Sequence, residues 1–418
     1  MRRILLGLAL VLCLSFSAMA APVEIELVQY KPEAFRTFDA LAEKFNKTHP
    51  NIHLTISSPN EPITILKTRF IRENYPDIIG IGGDVNYSNF QDAELLADIS
   101  DYKGLANIKK AYLDIIDGLK FVPVPGVFGV PYMANAAGVL YNKDIFDAHG
   151  WKIPESWPEF MKLCEDIKAA GIRPMFFGYK DTWTTLAPWN ALAVDIAPAD
   201  VCQRVNLGET TFSKEYKEVA DKTYALLKYA EEGPFAYSYN DACTAFARGE
   251  AAMYVIGNYA IPQILSVNPK LNIDSFTMPG RDDENHTLNS GVDIMFCVMD
   301  SCPNKEAAYE VLDFLLDPEN IQAYVDEQNS VPCQTGNFKL TPMLDGMRKY
   351  IDAGKMADYH DHHYPSEMAV DAQIQTYLIH GDAKVFLAKF DTDWIRYNRD
   401  IIAKLKSTWP NTKGGIYP

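Results

Sequence analysis

From residue 23 onward, short segments in which apolar and polar residues alternate are separated by longer segments in which apolar residues recur at helical spacing. Residues 23–28 and 52–56 alternate with period two, which predicts two half-buried strands, and residues 77–82 predict a short apolar strand ending in glycine. Residues 34–48 and 63–74 place apolar side chains at helical spacing between these strands. This βαβαβ order predicts an α/β fold with a mainly parallel sheet and helices on both faces.

The loops that follow the first and third predicted strands are the first candidates for a binding site. Ligands of open α/β sheets bind at the carboxyl ends of the strands. We therefore expect residues 29–33 and 82–89 to line a ligand site.

A second set of elements follows the Gly- and Pro-rich stretch at residues 126–131. The pattern predicts strands at 138–142 and 173–178 and helices at 157–170, 213–231, 239–248 and 258–267. Residues 293–299 predict a strand that returns to the first unit, and helices are predicted at 305–316 and 320–328.

The length of the chain exceeds what one ordinary core requires, so two lobes are expected. We assign residues 21–130 and 288–332 to the first lobe and residues 131–287 and 333–418 to the second. Linkers are expected near Pro131, at 279–289 and at 331–341. Three crossings between two lobes predict a hinge.

The first twenty residues predict a secretory signal peptide. Arg2 and Arg3 precede an apolar run at residues 4–16, and Ala18, Met19 and Ala20 provide the small residues of a cleavage site, which places the mature N-terminus near Ala21. The alternative is a lipoprotein modified at Cys13, although bulky Leu12 stands where a small residue is favoured. A periplasmic or extracellular location is expected.

The charge balance excludes two classes of partner. Asp and Glu number 55 against 39 Lys and Arg, a formal net charge of −16, which argues against nucleic acid and against an anionic membrane surface. The net charge gives no evidence for or against a neutral ligand.

Six cysteines remain beyond the predicted leader, namely Cys164, Cys202, Cys243, Cys297, Cys302 and Cys333. An even number in an exported chain permits disulfides, and their irregular spacing without a CxxC pair argues against zinc. The sequence leaves the pairing open, with a local Cys297–Cys302 bridge as one possibility.

Several stretches resemble the extracellular solute-binding proteins of sugar ABC transporters, the maltose-binding-protein-like family 1. The matching residues, in chain order, are Gly129, Pro131, 138–146, Gly150, Pro154, Trp157, Gly171, Pro174, 245–253, 257–259, 304–308, 314–315 and 329–332. The resemblance covers nearly the whole predicted mature chain. It implies a type II periplasmic-binding-protein fold with two α/β lobes, a three-segment hinge and a ligand cleft between the lobes. It also implies a monomer that binds a carbohydrate and docks on the permease subunits of an ABC transporter.

Sugar rings combine apolar faces with polar edges, so aromatic rings and hydrogen-bonding side chains recognise them together. The resemblance places a sugar-binding acid at Asp84, an acid and a stacking aromatic at Asp181 and Trp183, and a stacking aromatic at Tyr259. Tyr259 stands where the family commonly has Trp, which leaves the size of the ligand open. The remaining candidates are Tyr30, Lys31, Asn86, Tyr87, Asn135, Asn258 and Asp293. Asp293 could face the cleft or stabilise the hinge.

The run His360, Asp361, His362 and His363 is the one tempting metal cluster. Consecutive side chains point in different directions and rarely bind one ion, so we expect a solvated loop and no metal. No GxSxG, HExxH or phosphate-binding GxxxxGK[ST] motif occurs, so neither an enzyme nor a cofactor is expected. Two alternatives remain open: a secreted carbohydrate-active enzyme with Asp84 and Asp181 as its acid/base pair, and a binding protein for a metal or another non-sugar solute.

Overall fold

The computed structural model describes residues 21–412, with side chains described as far as residue 408. Residues 1–20, which contain the predicted signal peptide, Cys13 and Ala20, lie outside the described residues. The strands of the described residues are β1 (Val23–Gln29), β2 (Ile52–Ser57), β3 (Ile78–Ile81), β4 (Val130–Ala134), β5 (Ala137–Asn142), β6 (Met253–Gly257), β7 (Ile273–Phe276), β8 (Leu288–Asn289), β9 (Val292–Val298), β10 (Val331–Pro332) and β11 (Met356–Ala357).

The α-helices of the same residues are α1 (Phe35–Thr48), α2 (Pro62–Ile71), α3 (Val85–Asp92), α4 (Lys110–Gly118), α5 (Lys143–His149), α6 (Trp157–Ala169), α7 (Leu186–Ile196), α8 (Val201–Leu207), α9 (Phe212–Glu215), α10 (Lys217–Ala225), α11 (Tyr239–Ala247), α12 (Ile261–Val267), α13 (Lys305–Leu315), α14 (Pro318–Gln328), α15 (Asp345–Ala353), α16 (Val370–His380), α17 (Ala383–Tyr397) and α18 (Arg399–Thr412). None of them is both long and apolar enough to span a bilayer.

The first sheet has the strand order β10-β4-β9-β3-β1-β2. β1 pairs in parallel with β2 and β3, so the predicted βαβαβ unit is confirmed. The returning strand β9 is also confirmed, and it inserts antiparallel between β3 and β4. The carboxyl ends of β1 and β3 therefore lie side by side, which brings the loops after Gln29 and Ile81 to one edge of the sheet.

Helix α1 covers this sheet through one apolar face. Phe38, Leu41 and Phe45 recur at three- and four-residue spacing and are buried, as an amphipathic helix requires. Phe38 packs edge-on against Phe296 of β9, with the ring centroids 6.1 Å apart. This contact joins α1 to the returning strand, which β3 and β4 hold in the sheet.

The second sheet has the order β11-β8-β5-β6, with β7 also paired to β5. The strand predicted at residues 173–178 is wrong, because only Met175 forms an isolated bridge, to Met253. The backbone N–H groups of Phe177 and Gly178 donate instead to the carboxylate of Glu231, at 2.9 Å each. Gly178 also has a φ of +67°, which is outside the strand region.

The chain crosses between the sheets at points a few residues from the predicted boundaries. β4 lies in the first sheet although residues 131–134 were assigned to the second lobe, so this crossing occurs at residues 135–136. β8 lies in the second sheet, which moves the next crossing from residue 288 to residues 290–291. Thr335 still bonds Asn107 through its backbone, so the third crossing follows residue 335 rather than 332.

All six cysteines of the described residues are free. The possible Cys297–Cys302 bridge is wrong: Cys297 is buried inside β9, and Cys302 lies in the turn beyond the strand. Burial raises the pKa of both thiols. These cysteines serve as small apolar core residues.

Candidate ligand-binding site

The loop after β3 presents an acid at the edge of the first sheet. A Cβ on Gly83 would come within 2.9 Å of Val292 Cβ, so glycine permits the close approach of this loop to β9. Asp84 follows and begins α3 as its N-cap, with Oδ1 accepting the Asn86 N–H at 2.7 Å. Burial raises the pKa of Asp84, while His362 and the Asn86 bond act in the opposite direction.

Asp293 joins the loop after β1 to the first crossing. Its Oδ2 lies 2.5 Å from Lys31 Nζ, and Asn135 Nδ2 donates to its Oδ1 at 3.0 Å. The Tyr30 hydroxyl donates to the Asp293 backbone carbonyl. Burial lowers the pKa of Lys31, but its ion pairs with Asp293 and Glu33 outweigh burial and raise it overall. Asp293 therefore ties the loop after β1 to the first crossing.

The second lobe contributes a group of aromatic rings. The ring centroids of Trp183 and Tyr239 are 4.9 Å apart, and those of Trp183 and Tyr259 are 6.3 Å apart. Trp183 is 40% exposed. The exposed ring is available to stack on a ligand.

Residues 358–363 pack between the two lobes, and the prediction of a solvated loop is wrong. A Cβ on Gly291, in the second crossing, would lie 2.4 Å from Asp358 and 2.8 Å from His362. His362 Nδ1 lies 2.8 Å from Asp358 Oδ1, and its ring stacks on Tyr359 at 4.9 Å. The short 3₁₀ turn His360–His363 thus directs consecutive side chains into different packed surroundings.

The residues of this segment have distinct electrostatic states. Burial alone would lower the pKa of His362, but Asp358, Asp361 and Asp84 raise it to about 9. Burial raises the pKa of Asp361, whose Oδ1 accepts a hydrogen bond from Asn190 Nδ2 at 2.9 Å. His360 faces the core, where its Nδ1 lies 2.8 Å from the Tyr216 hydroxyl and burial lowers its pKa to about 3.

The same segment connects the acids to the aromatic group. Burial is the largest cause that raises the pKa of Tyr259, and the negative charge of Asp361 is the second. Burial also raises the pKa of Tyr359, and Tyr259, Asp361, Asp293 and Asp358 add to the shift. The hydroxyl of Tyr359 is buried and has no hydrogen-bond partner among the described residues.

Two of the predicted site residues, Tyr87 and Asn258, are buried, and a third, Asp181, is half-buried. Tyr87 is fully buried in the core of the first lobe, because α3 turns its side chain inward. Asp181 Oδ2 accepts the Tyr239 N–H at 2.8 Å and so fixes the start of α11. Asn258 is 1% exposed, and both ends of its amide bond the protein: Oδ1 accepts the Ala136 N–H at 2.8 Å and Nδ2 donates to the Asn329 carbonyl at 2.9 Å.

Four residues that were not predicted lie beside predicted ones or in the segment 358–363, which packs on the second crossing. Asn86 is half-buried beside Asp84 at the first turn of α3. Tyr239, Tyr359, Asp361 and His362 had not been predicted to contribute. The sequence had drawn attention to two of them as part of a metal cluster, but no group of three or more His, Cys, Asp or Glu in the described residues is arranged to hold a metal ion.

The arrangement combines flat apolar surfaces with hydrogen-bonding groups. Trp183, Tyr239 and Tyr259 offer ring faces, Asp84 and Asp361 offer carboxylate acceptors, and His362 is a charged donor. A carboxylate has about four acceptor sites, so the bonds that Asp84 and Asp361 make to the protein leave capacity for ligand hydroxyls.

The family model described as bacterial extracellular solute-binding protein matches residues 30–322. The multiple sugar-binding protein of Streptococcus mutans is 26% identical over 373 residues, which cover 87% of each chain. The melibiose/raffinose/stachyose-binding protein of Bacillus subtilis is 20% identical over 348 residues, 78% of each chain. Among solved structures, the apo form of RafE from Streptococcus pneumoniae matches with a TM-score of 0.79 and 24% identity, covering 90% of this chain and 98% of that one.

The structural match extends over nearly the full length of the solved protein, so the predicted type II two-lobed fold is confirmed. The family model covers more than half of the chain. The chain therefore belongs to the bacterial extracellular solute-binding protein family.

Proposed function

We propose that this protein binds a neutral sugar or oligosaccharide in the cleft and delivers it to the permease of an ABC transporter. The observation on which the proposal rests is the exposed ring of Trp183, grouped with Tyr239 and Tyr259 on the second lobe. Asp361 lies close enough to both Tyr259 and Asp84 for their charges to shift one another's pKa values. The printed names of the relatives support the same class of ligand: multiple sugars in one case and melibiose, raffinose and stachyose in the other.

In this mechanism each lobe contributes a different part of the recognition. The aromatic rings of the second lobe cover the apolar faces of the sugar, and Asp84 of the first lobe accepts hydrogen bonds from its hydroxyls. Asp361 and His362 add a carboxylate acceptor and a charged donor between the lobes. A ligand held by both lobes favours the closed arrangement only through its higher affinity for that state.

The remaining assignments follow from this function. The protein acts outside the cytoplasm after removal of the leader near Ala21, and it binds the permease as a monomer. No catalytic role is proposed, because the family model and the relatives are described as binding proteins.

A thermal-shift screen over sugars tests the proposal, with melibiose, raffinose, stachyose and maltose as the first probes. A ligand at 100 times its dissociation constant should stabilise the protein by about 2.7 kcal/mol, a rise in Tm of several degrees. Replacement of Trp183 by Ala should remove the shift. Tyr224→Ala is the matched control, because Tyr224 is 42% exposed on α10 and should leave the shift unchanged.

Two results would contradict the proposal. One is a wild-type protein that no sugar in the library stabilises, and the other is equal stabilisation of wild type and Trp183→Ala. Release of shorter sugars during long incubation would instead support the enzyme hypothesis.

A further inference from the structure

The loop at residues 178–185 carries Trp183, and α16 packs along one side of it. Trp183 lies in the short 3₁₀ turn Thr182–Thr185, and its exposed ring contacts the rings of Tyr239 and Tyr259. An exposed side chain on a short turn has few packing contacts of its own. The direction of the ring therefore depends on how the rest of the protein holds this loop.

The start of the loop is attached to residues 234–239. The N–H groups of Tyr179 and Lys180 donate to backbone carbonyls of that segment, at 2.9 Å each. The Asp181 carboxylate accepts the Tyr239 N–H at 2.8 Å. All three bonds involve residues that precede the 3₁₀ turn, so the turn itself needs other contacts.

One face of α16 supplies these contacts. The Thr182 hydroxyl donates to the Asp371 carboxylate, and the Thr185 hydroxyl donates to the Asp371 carbonyl at 3.1 Å. Gln375 Nε2 donates to the Tyr179 carbonyl at 2.6 Å. Asp371 and Gln375 are four residues apart and therefore lie on the same face of the helix. This face contacts the loop from its start to its end.

The bond between Thr182 and Asp371 is the one that acts closest to the ring, because Thr182 directly precedes Trp183 in the chain. The Thr184 hydroxyl instead donates within the loop, to the carbonyls of Gly178 and Asp181 at 3.1 and 2.8 Å. That bond keeps the loop compact but does not attach it to another element.

The Asp371 carboxylate has Thr182 as its one hydrogen-bond partner among the described residues. Asp371 lies in the first turn of α16, where a negative charge also favours a helix. Its side chain does not cap the helix. Removal of the Thr182 hydroxyl therefore breaks the bond and leaves the effect of the charge in place.

We propose that Asp371 is a positioning residue of the sugar site, which holds Trp183 through the Thr182 hydroxyl in the orientation that stacks on the ligand. In this role Asp371 needs no contact with the ligand. A ring that is already held loses less conformational freedom on binding, so the bond raises affinity. The inference rests on the proposed function, because that function makes Trp183 a stacking residue.

The first test needs no ligand. Full-length mature protein is labelled with 5-fluorotryptophan, and the fluorine resonance of Trp183, one of six tryptophans, is assigned from the spectrum of Trp183→Phe. Thr182→Val keeps the shape of the side chain and removes the hydroxyl, so the Trp183 resonance should shift or change its width. Asp371→Ala should give the same change. Asp371→Asn keeps an acceptor oxygen and should give the wild-type resonance.

Ser213→Ala is the matched control. The Ser213 hydroxyl donates to Asp391 of α17 at 2.5 Å, which is the same kind of bond between the second lobe and a C-terminal helix. The neighbouring Phe212 packs on Trp394, with the ring centroids 4.9 Å apart. This variant should lower stability in urea about as much as Thr182→Val does, and it should leave the Trp183 resonance unchanged.

The second test measures affinity by calorimetry, with the sugar that stabilises the wild type most. Thr182→Val and Asp371→Ala should bind it about fivefold or more weakly, because apparent affinity scales with the fraction of chains in the competent state. Ser213→Ala and Asp371→Asn should bind it with wild-type affinity.

An unchanged Trp183 resonance in Thr182→Val would overturn the proposal, and so would a changed resonance combined with wild-type affinity. Equal losses of affinity in Asp371→Asn and Asp371→Ala would also overturn it, because the charge of Asp371 would then matter and the bond would not. If no sugar binds the wild type, the proposed function fails. The fluorine spectra then still decide whether Asp371 holds Trp183, so the two failures are distinguishable.

Discussion

At the scale of single residues, the polar groups of the cleft divide according to how much of their bonding the protein uses. The carboxylate of Asp293 binds Lys31 and Asn135, and its backbone carbonyl accepts the Tyr30 hydroxyl, so these groups are used between the loop after β1 and the first crossing. Asp84 makes a local bond to the start of α3 and keeps acceptor capacity for a ligand. This difference makes Asp84 the better candidate for direct recognition.

Asp84→Asn separates recognition from folding. Asparagine caps helices about as well as aspartate, so stability should change little. Loss of the carboxylate should weaken sugar binding by about 10- to 100-fold, since a hydrogen bond to a charged group contributes about 1.5–3 kcal/mol. Titration calorimetry measures the affinity. Asp317→Asn is the matched control, because Asp317 caps α14 through the same kind of bond to Glu319 N–H at 2.9 Å. Equal affinities of the two variants would remove Asp84 from the site.

His362 should make the stability of the protein depend on pH. Its folded-state pKa of about 9 exceeds the unfolded value of about 6.5. The contribution of its ion pair with Asp358 is therefore fully present below about pH 6.5 and is lost as the pH rises through about 9. Urea unfolding from pH 6 to pH 10 should show wild type more stable than His362→Gln by roughly 1.5–3 kcal/mol at the low end, with the difference shrinking at the high end. A difference that stays constant over this range would contradict the assignment.

The sequence predicted Trp183 and Tyr259 because the family resemblance fixed their positions along the chain, and the structure groups the two rings. The sequence did not predict a role for Asp361 and His362. Consecutive residues rarely bind one metal ion, but each of them can still pack against a different part of the protein. The 3₁₀ turn sends His360 into the core beside Tyr216 and places His362 against Asp358. Only tertiary packing determines that separation.

At the scale of elements, local signals predicted most helices and strands, but the helix predicted at 213–231 is divided into α9, α10 and a 3₁₀ turn. The prediction of a helix at 157–170 matches α6, because Ser156 caps the helix through Glu159 N–H and Pro158 occupies its first turn. The segment at 173–178 has a strand composition, yet Glu231, more than fifty residues away, binds its N–H groups. A partner at that distance leaves no local signal in the sequence.

Glu231→Ala should therefore destabilise the second lobe. Glu231 is 4% exposed, and its loss leaves the N–H groups of Phe177 and Gly178 buried without acceptors, at about 1–3 kcal/mol each. We expect the free energy of unfolding to fall by about 2 kcal/mol or more in urea titrations. The neighbouring Glu232→Ala removes an exposed carboxylate and should cost about 0.5 kcal/mol or less. Similar losses in both variants would contradict the role of Glu231.

At the scale of the whole molecule, the chain length and the family resemblance predicted two lobes, and the hydrophobic pattern predicted the return of the chain to the first lobe. The boundaries between lobes were displaced, because sheet membership of β4 and β8 depends on pairing with strands far along the chain. At the crossings the segments also bond one another: Asn135 N–H donates to the Gly291 carbonyl at 3.1 Å, and Ser290 Oγ donates to the Asn135 carbonyl at 2.7 Å. Movement of one crossing is thus transmitted to the next.

Asn258 connects the first crossing to the segment before β10, since it bonds Ala136 on one side and Asn329 on the other. Asn258→Ala should change the balance between lobe arrangements and so alter sugar affinity, because apparent affinity scales with the fraction of chains in the competent state. It should also lower stability by roughly 1–3 kcal/mol.

Asn268→Ala removes a comparable bond, from Asn268 Nδ2 to the Ala247 carbonyl at 3.0 Å, but within the second lobe alone. That variant should lose stability and keep the wild-type affinity in titrations with the sugar that binds best. A several-fold change in affinity for Asn258→Ala alone is the expected result. Unchanged affinity in both variants would mean that the bonds of Asn258 do not influence closure, and the hinge would then depend on the Asp293 cluster and the Asn135–Gly291 contact.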